Sequence, residues 1–147
     1  MIKKLCCTAS LLAASAAGAA DGDFGTLEEA RTLARAVIEI ANDGGLEAVR
    51  AAMQDPAQPF VGSRMGINLF QTHFVVADNR EPEMVASDYA QIADLTGVPV
   101  WPRISAAAER QEDVVLKWYH YDTQEHYDFH CYAMKADRDD LSVMVCR

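Results

Sequence analysis

Val114 to Tyr121, His126 to Ala136 and Leu141 to Cys146 are three β-prone runs in close succession, and they decide the fold class. Their clearest part is Cys131-Tyr132-Ala133-Met134-Lys135-Ala136, the polar turn Asp137-Arg138-Asp139-Asp140, and Leu141-Ser142-Val143-Met144-Val145-Cys146. Two apolar stretches around a short polar turn read as a β-hairpin. If Ala136 faces Leu141, counting outward sets Cys131 directly opposite Cys146. Cross-strand neighbours hold their Cβ atoms ~4.5–5.5 Å apart, near the range a disulfide can close. A metal–thiolate pair or a redox-active dithiol are the other uses of two cysteines, and the lack of Cys-x-x-Cys spacing weighs against both.

Upstream of these strands the periodicity changes. Thr26 and Glu29 form a capping box that opens a helix. Leu27, Ala30, Leu33, Ala34, Val37, Ile38 and Ala41 recur at three and four, one apolar stripe. Asn42-Asp43-Gly44-Gly45 stops that helix, and a shorter one runs from Leu46 to Met53. Ile67 to Asp78 reads as a single strand, with Phe74-Val75-Val76 strongly β-prone, and Met84-Val85-Ala86 as a short partner. Asp88 to Leu95 and Arg103 to Gln111 read as helices. Helices at the front and consecutive strands at the back predict an α+β domain with an antiparallel sheet.

The amino terminus sets the compartment. Lys3 and Lys4 precede an apolar stretch from Leu5 to Ala17, and small residues lead to the polar Asp21-Gly22-Asp23. That is the pattern of a secretory signal peptide over residues 1–20, cut after Ala19 or Ala20. The run falls short of the ~20 apolar residues a spanning helix needs. Residues 21–147 are then one exported periplasmic domain, with no membrane insertion after cleavage. Two of the four cysteines, Cys6 and Cys7, leave with the signal. The remaining pair, Cys131 and Cys146, is expected to be a disulfide in an oxidising compartment. The chain carries 22 acidic against 13 basic residues, a balance that repels nucleic acid and anionic lipid.

Four stretches together resemble the single Cache domains, extracytoplasmic small-molecule sensors related to the PAS fold. Glu29-Ala30-Arg31 through Asp43-Gly44-Gly45-Leu46-Glu47-Ala48 is similar to the family's entry helix, glycine break and second helix. Phe74-Val75-Val76-Ala77-Asp78-Asn79 resembles its aromatic-start strand and Asp turn. Asp94-Leu95-Thr96-Gly97 before a helix resembles its Asp-x-x-Gly element. Trp118-Tyr119-His120-Tyr121-Asp122, then Tyr132-Ala133-Met134, resembles the aromatic strand and final hairpin. The resemblance implies a long N-terminal helix packed on a five-stranded antiparallel PAS/Cache-like sheet, with a ligand pocket on the other sheet face. It also implies a membrane-bound receptor or kinase as partner, and a homodimer formed along the Leu27–Ala41 helix. The chain departs from the family at Glu112-Asp113-Val114-Val115, where a Gly-Trp pair is usual. It departs again at Phe129, where a lysine commonly meets an anionic ligand. Most relatives continue into a membrane helix and a signalling module, whereas this chain stops at Arg147, so a stand-alone form is expected.

The expected ligand is a small organic molecule. Trp101, Trp118, Tyr119, Tyr121, Tyr127 and Tyr132 pair an apolar body with a polar tip, which suits a largely apolar pocket. Strand alternation puts Trp118 with His120 on one face and Tyr119 with Tyr121 on the other. Arg103 and Lys117 are the candidates for an anion partner. As an alternative, His120, His126 and His130 are candidates for a transition-metal site. Against it, strand residues four apart lie ~13 Å apart. A ligand-free interaction module is a third reading. No cofactor and no enzymatic activity are expected: Ser105 and Ser142 sit in no nucleophile elbow, and no Gly-rich phosphate loop or apolar carboxylate pair stands out.

Overall fold

The computed structural model describes residues 24–147; the expected signal peptide over residues 1–20 lies outside them. Helix α1 (Leu27–Ala52) precedes β1 (Gly66–Gln71), β2 (Phe74–Asp78), helix α2 (Trp101–Arg110), β3 (Asp113–Tyr119), β4 (His126–Lys135) and β5 (Leu141–Cys146). The strands form one antiparallel sheet in the order β2-β1-β5-β4-β3. Among the described residues no helix is long and apolar enough to cross a membrane.

The capping box forms as expected. The Thr26 backbone N–H donates to Glu29 Oε2 at 2.6 Å, and the Glu29 N–H donates to Thr26 Oγ1 at 3.2 Å, so two orphan donors of the first turn are satisfied. The apolar stripe of α1 is spent on the sheet: Ala30, Ala34, Val37 and Ala41 are fully buried. They pack on Ile67, Leu69, Leu141, Val143 and Val145, which belong to the same core. Each fully buried Val, Leu or Ile contributes about 1.5–3 kcal/mol. The opposite sheet face, with Phe70, Val114, Leu116, Phe129, Ala133 and Met144, packs on Ile104, Ala107 and Ala108 of α2 and forms a second core.

Three elements differ from the sequence reading. The glycine break, by contrast, falls where the sequence placed it: Gly45 leaves helical geometry (φ 70, ψ −163) and divides Leu27–Ala52 into a long helix and a shorter second one. The β4–β5 turn docks there, with Asp137 N–H donating to Asn42 Oδ1 at 2.7 Å and Arg138 Nη1 to the Asp43 carbonyl at 3.4 Å. Ile67–Asp78 is two strands, because Thr72 adopts φ 52 and Gln71 pairs with Phe74. A two-residue turn of Thr-His lacks the Asn or Gly that would announce it. Pro82–Met84 is a 3₁₀ turn rather than part of a strand. The chain still touches β2 through Ala86 N–H to the Val75 carbonyl (2.8 Å) and Val75 N–H to the Ser87 carbonyl (3.1 Å). Finally, Asp88–Leu95 holds one 3₁₀ turn, Tyr89–Gln91, because Val100 N–H reaches back to the Ile92 carbonyl and folds the segment onto itself.

The hairpin register agrees with the count from the turn. Cys131 pairs with Cys146 and the two form a disulfide. Gly45 supplies a sharp test of the kink. Its backbone lies in a region open essentially to glycine alone, and a Cβ there would stand 2.7 Å from Asp139 Oδ2. Gly45→Ala is expected to cost about 2 kcal/mol, read as a lower midpoint in chemical denaturation with an unchanged slope.

Candidate ligand-binding site

A cavity of about 160 Å³ opens on the sheet face opposite α1. Its floor comes from the strands: Asn68 on β1, Met144 and Cys146 on β5, Phe129 on β4, and Leu116 and Trp118 on β3. These share one face because side chains alternate along each strand. The cover comes from the irregular segment between β2 and α2, which contributes Glu81, Met84, Tyr89, Ile92 and Val100. Tyr121 closes one end. Its ring lies 4.9 Å from that of Phe129 and 5.8 Å from that of Phe24. Gly66 makes room for its hydroxyl, since a Cβ at that position would come 2.2 Å from Tyr121 Oη.

The polar groups gather where the cover meets β1. Asn68 Nδ2 donates to Asp78 Oδ2 at 2.5 Å, while Asp78 Oδ1 accepts from the backbone N–H groups of Arg80 (2.8 Å) and Glu81 (2.7 Å). Burial raises the Asp78 carboxyl above the ordinary value, against the lowering by these hydrogen bonds. Glu81 is raised as well, by burial first and then by the charges of Asp78 and Glu83. Burial pushes the Tyr89 phenol up to about 12, helped by the negative charges of Asp78 and Glu81. Tyr121 moves in the same direction, again chiefly through burial. Arg80 lies over the Tyr121 ring, 4.4 Å from its centroid, and donates to the Arg64 backbone carbonyl.

Of the residues singled out from sequence, Trp118 and Tyr121 line this cavity together. Their meeting corrects the alternation argument. Strand β3 ends at Tyr119, and His120 turns the chain by pairing its N–H with the Glu125 carbonyl, so Tyr121 comes round to the face of Trp118. The other six do not line it. Tyr127 packs on Phe129 at 4.8 Å and on Phe24 at 5.9 Å between centroids. Trp101 packs on Phe70 at 5.3 Å between centroids. Tyr119 stays on the exposed side of β3. Tyr132 is buried on the α1 face, under the Arg31 guanidinium at 5.5 Å. Lys117 pairs with Asp128 at 2.9 Å on that same side of the sheet. Arg103 is held by Asp94 at 2.7 Å and donates to the Val115 carbonyl.

Asp94 is the hub of that last contact. Its buried carboxylate accepts from Thr96 Oγ1 and N–H, from Arg103 and from the Lys117 backbone N–H. The Thr96 side-chain hydrogen bond, then those of Arg103 and the two backbone donors, hold it well below the usual carboxylate range against the opposing effect of burial. Asp94 thereby locks the cover segment to β3 and α2.

The histidines are not brought together. His120 is buried, its Nδ1 accepting from the N–H groups of Asp122 and Thr123 at 3.2 Å each. His126 and His130 are exposed on the other sheet face. Among the described residues no group of three His, Cys, Asp or Glu side chains is placed to hold a metal. Asn68, Glu81, Met84 and Tyr89 were not legible as lining residues, because three of them sit in non-repeating backbone where no periodicity assigns a face.

Solved structures share this architecture. One is a methyl-accepting chemotaxis protein from Vibrio parahaemolyticus, with TM-score 0.57 and 10% identity over 82% of this chain and 81% of that one. A Cache chemosensory domain studied for carboxylic acid recognition gives TM-score 0.58 and 11% identity, over 82% of this chain and 86% of its own. A periplasmic sensor domain of a chemotaxis protein gives TM-score 0.58 and 13% identity, over 82% and 88%. The chain has the fold of the Cache sensor domains. The Cache topology places α1 on one sheet face and the cavity on the other, as the resemblance in sequence implied. No family model matches the sequence, and no curated protein matches it by sequence.

Proposed function

We propose that this chain is an exported, periplasmic small-molecule sensing domain that reports ligand occupancy to a membrane-bound receptor or kinase. The observation that carries the reading is the cavity itself. It is walled by Leu116, Phe129, Met144 and Ile92, with a few polar tips converging at one end and an irregular cover above. A largely apolar concavity with few orienting polar groups is the usual form of a small-molecule site. The charged start and short apolar run at residues 1–20 support export, and a Cys131–Cys146 bond fits an oxidising compartment. The sensor domains of similar fold, one of them studied for carboxylic acid recognition, support the same role.

The mechanism is a shift of population. Ligand binds better when the cover segment is closed over the sheet and Trp118, and it stabilises that arrangement by its differential affinity. A thermal-shift screen of oxidised residues 21–147 against amines, amino acids, organic acids and purines tests this. Ligand at ~100 times its dissociation constant adds about 2.7 kcal/mol, a shift of several degrees. Trp118→Ala is expected to weaken a hit roughly thirtyfold, or about 2 kcal/mol, as removal of a large aromatic wall does. A hit indifferent to Trp118→Ala places binding elsewhere.

A further inference from the structure

The charges around the cavity select among ligand classes. No lysine or arginine is among its lining residues, whereas Glu81 is, with Asp78 directly behind it, accepting from the Glu81 backbone N–H and from Asn68. Among the described residues no hydrogen-bond donor meets the Glu81 carboxylate, or the Tyr89 and Tyr121 hydroxyls. The wall adds three electron-rich rings, those of Tyr89, Trp118 and Tyr121, whose quadrupoles attract a cation over their faces. Asp78 and Glu81 help raise both phenols, while the Arg80 charge opposes them at Tyr121 and acts on Glu81 as well. A cation does lie near, but Arg80 is held over Tyr121 and by the Arg64 carbonyl. A carboxylate ligand would enter this space opposite Glu81 and Asp78 with no lining cation to pair it, and like charges at short range discriminate against it. An ammonium group would instead neutralise Glu81 and relieve its repulsion with Asp78 and Glu83. At about 160 Å³ the cavity is smaller than the ~300 Å³ where drug-sized pockets begin, so the molecule is compact.

We propose that the ligand is a small organic cation, a primary or methylated amine, whose nitrogen sits against Glu81 and the rings of Tyr89, Trp118 and Tyr121. The assignment rests on the sensor reading above and names its ligand class.

Shape-matched probes test charge alone. Choline, its neutral carbon isostere 3,3-dimethylbutanol and the anion 3,3-dimethylbutyrate form one set; butylamine, butanol and butyrate form another. Calorimetry with the oxidised domain is expected to show the amine of at least one set binding most tightly, and Glu81→Gln to weaken it at least tenfold, about 1.4 kcal/mol. Glu81→Gln keeps side-chain shape and the backbone N–H that Asp78 accepts, and an unchanged melting temperature without probe verifies that it folds. Tighter binding of the carboxylate, lost in Arg80→Ala, overturns the cation assignment while keeping the sensor reading. Equal affinity of amine and neutral isostere, or amine binding unchanged in Glu81→Gln, overturns the assignment too. Silence from every probe overturns it as well; in that case the sensor reading stands or falls on the wider screen.

Discussion

Asp94→Ala is expected to destabilise the domain by about 3 kcal/mol, the lower end of the range for removing one partner of a buried ion pair. The lower end applies because Arg103 is a third exposed and water reaches its guanidinium, while Asp94 itself is buried. The loss is shared among four donors: Thr96 through its hydroxyl and N–H, Arg103, and the Lys117 N–H. A domain of this size then melts roughly 10 °C lower. The pH dependence follows from the depressed folded-state pKa. The carboxylate contributes in full above its unfolded value of about 4. That contribution drains away as pH falls below this toward the lower folded value. The stability gap between the protein and Asp94→Ala should therefore narrow below about pH 4. A gap that stays constant down to pH 2 would mean that packing, not charge, carries the effect. The variant should also weaken ligand binding, since Asp94 anchors the cover that supplies Glu81 and Tyr89.

Loss of the disulfide is the second large effect. Cys131 and Cys146 are 15 residues apart in sequence and close the β4–β5 hairpin. Closing a loop of that length restricts the unfolded chain by about 3 kcal/mol in the chain-entropy account. The Cys131→Ala, Cys146→Ala double variant is expected to lose about that much in guanidinium unfolding at equal slope. The oxidised protein treated with reductant should move to the same midpoint. A double variant within about 0.5 kcal/mol of the parent would contradict the assigned constraint. Because Cys146 also lines the cavity, the variant tests a coupling between the bond and the site. Ligand affinity should fall along with stability, although Cys131 itself lies within the core beside Ala133 and Phe129.

The parts of this fold that announce themselves in sequence are those set by local rules. Thr26 and Glu29 mark the helix start through reciprocal hydrogen bonds only three residues apart. The Asp137–Asp140 turn fixes the hairpin register, and the register alone sets Cys131 opposite Cys146. The parts that stay hidden depend on partners far along the chain. The break at Gly45 was legible, but the docking of the Asp137–Asp140 turn against it was not. Thr72 and His73 make a tight turn without glycine, since β1 is already held by β5 on its other side. The candidate site follows the same division. Trp118 was legible from an aromatic strand, whereas Glu81 and Tyr89 reach the cavity through a cover with no repeat. Arg103 and Lys117 looked available as charges, yet Asp94 and Asp128 already hold them.

Ligand is expected to enter the cavity between the sheet and the Glu81–Val100 cover. Backbone amide mapping by NMR tests it most directly, titrating the oxidised domain with the tightest binder from the thermal-shift panel. The largest shifts are expected on Asn68, Glu81, Met84, Tyr89, Trp118 and Tyr121, with α1 and the exposed His126–His130 face unmoved. Shifts concentrated instead at Leu33, Pro59, Ser63 and Met65, which border a separate groove beside α1, would contradict it.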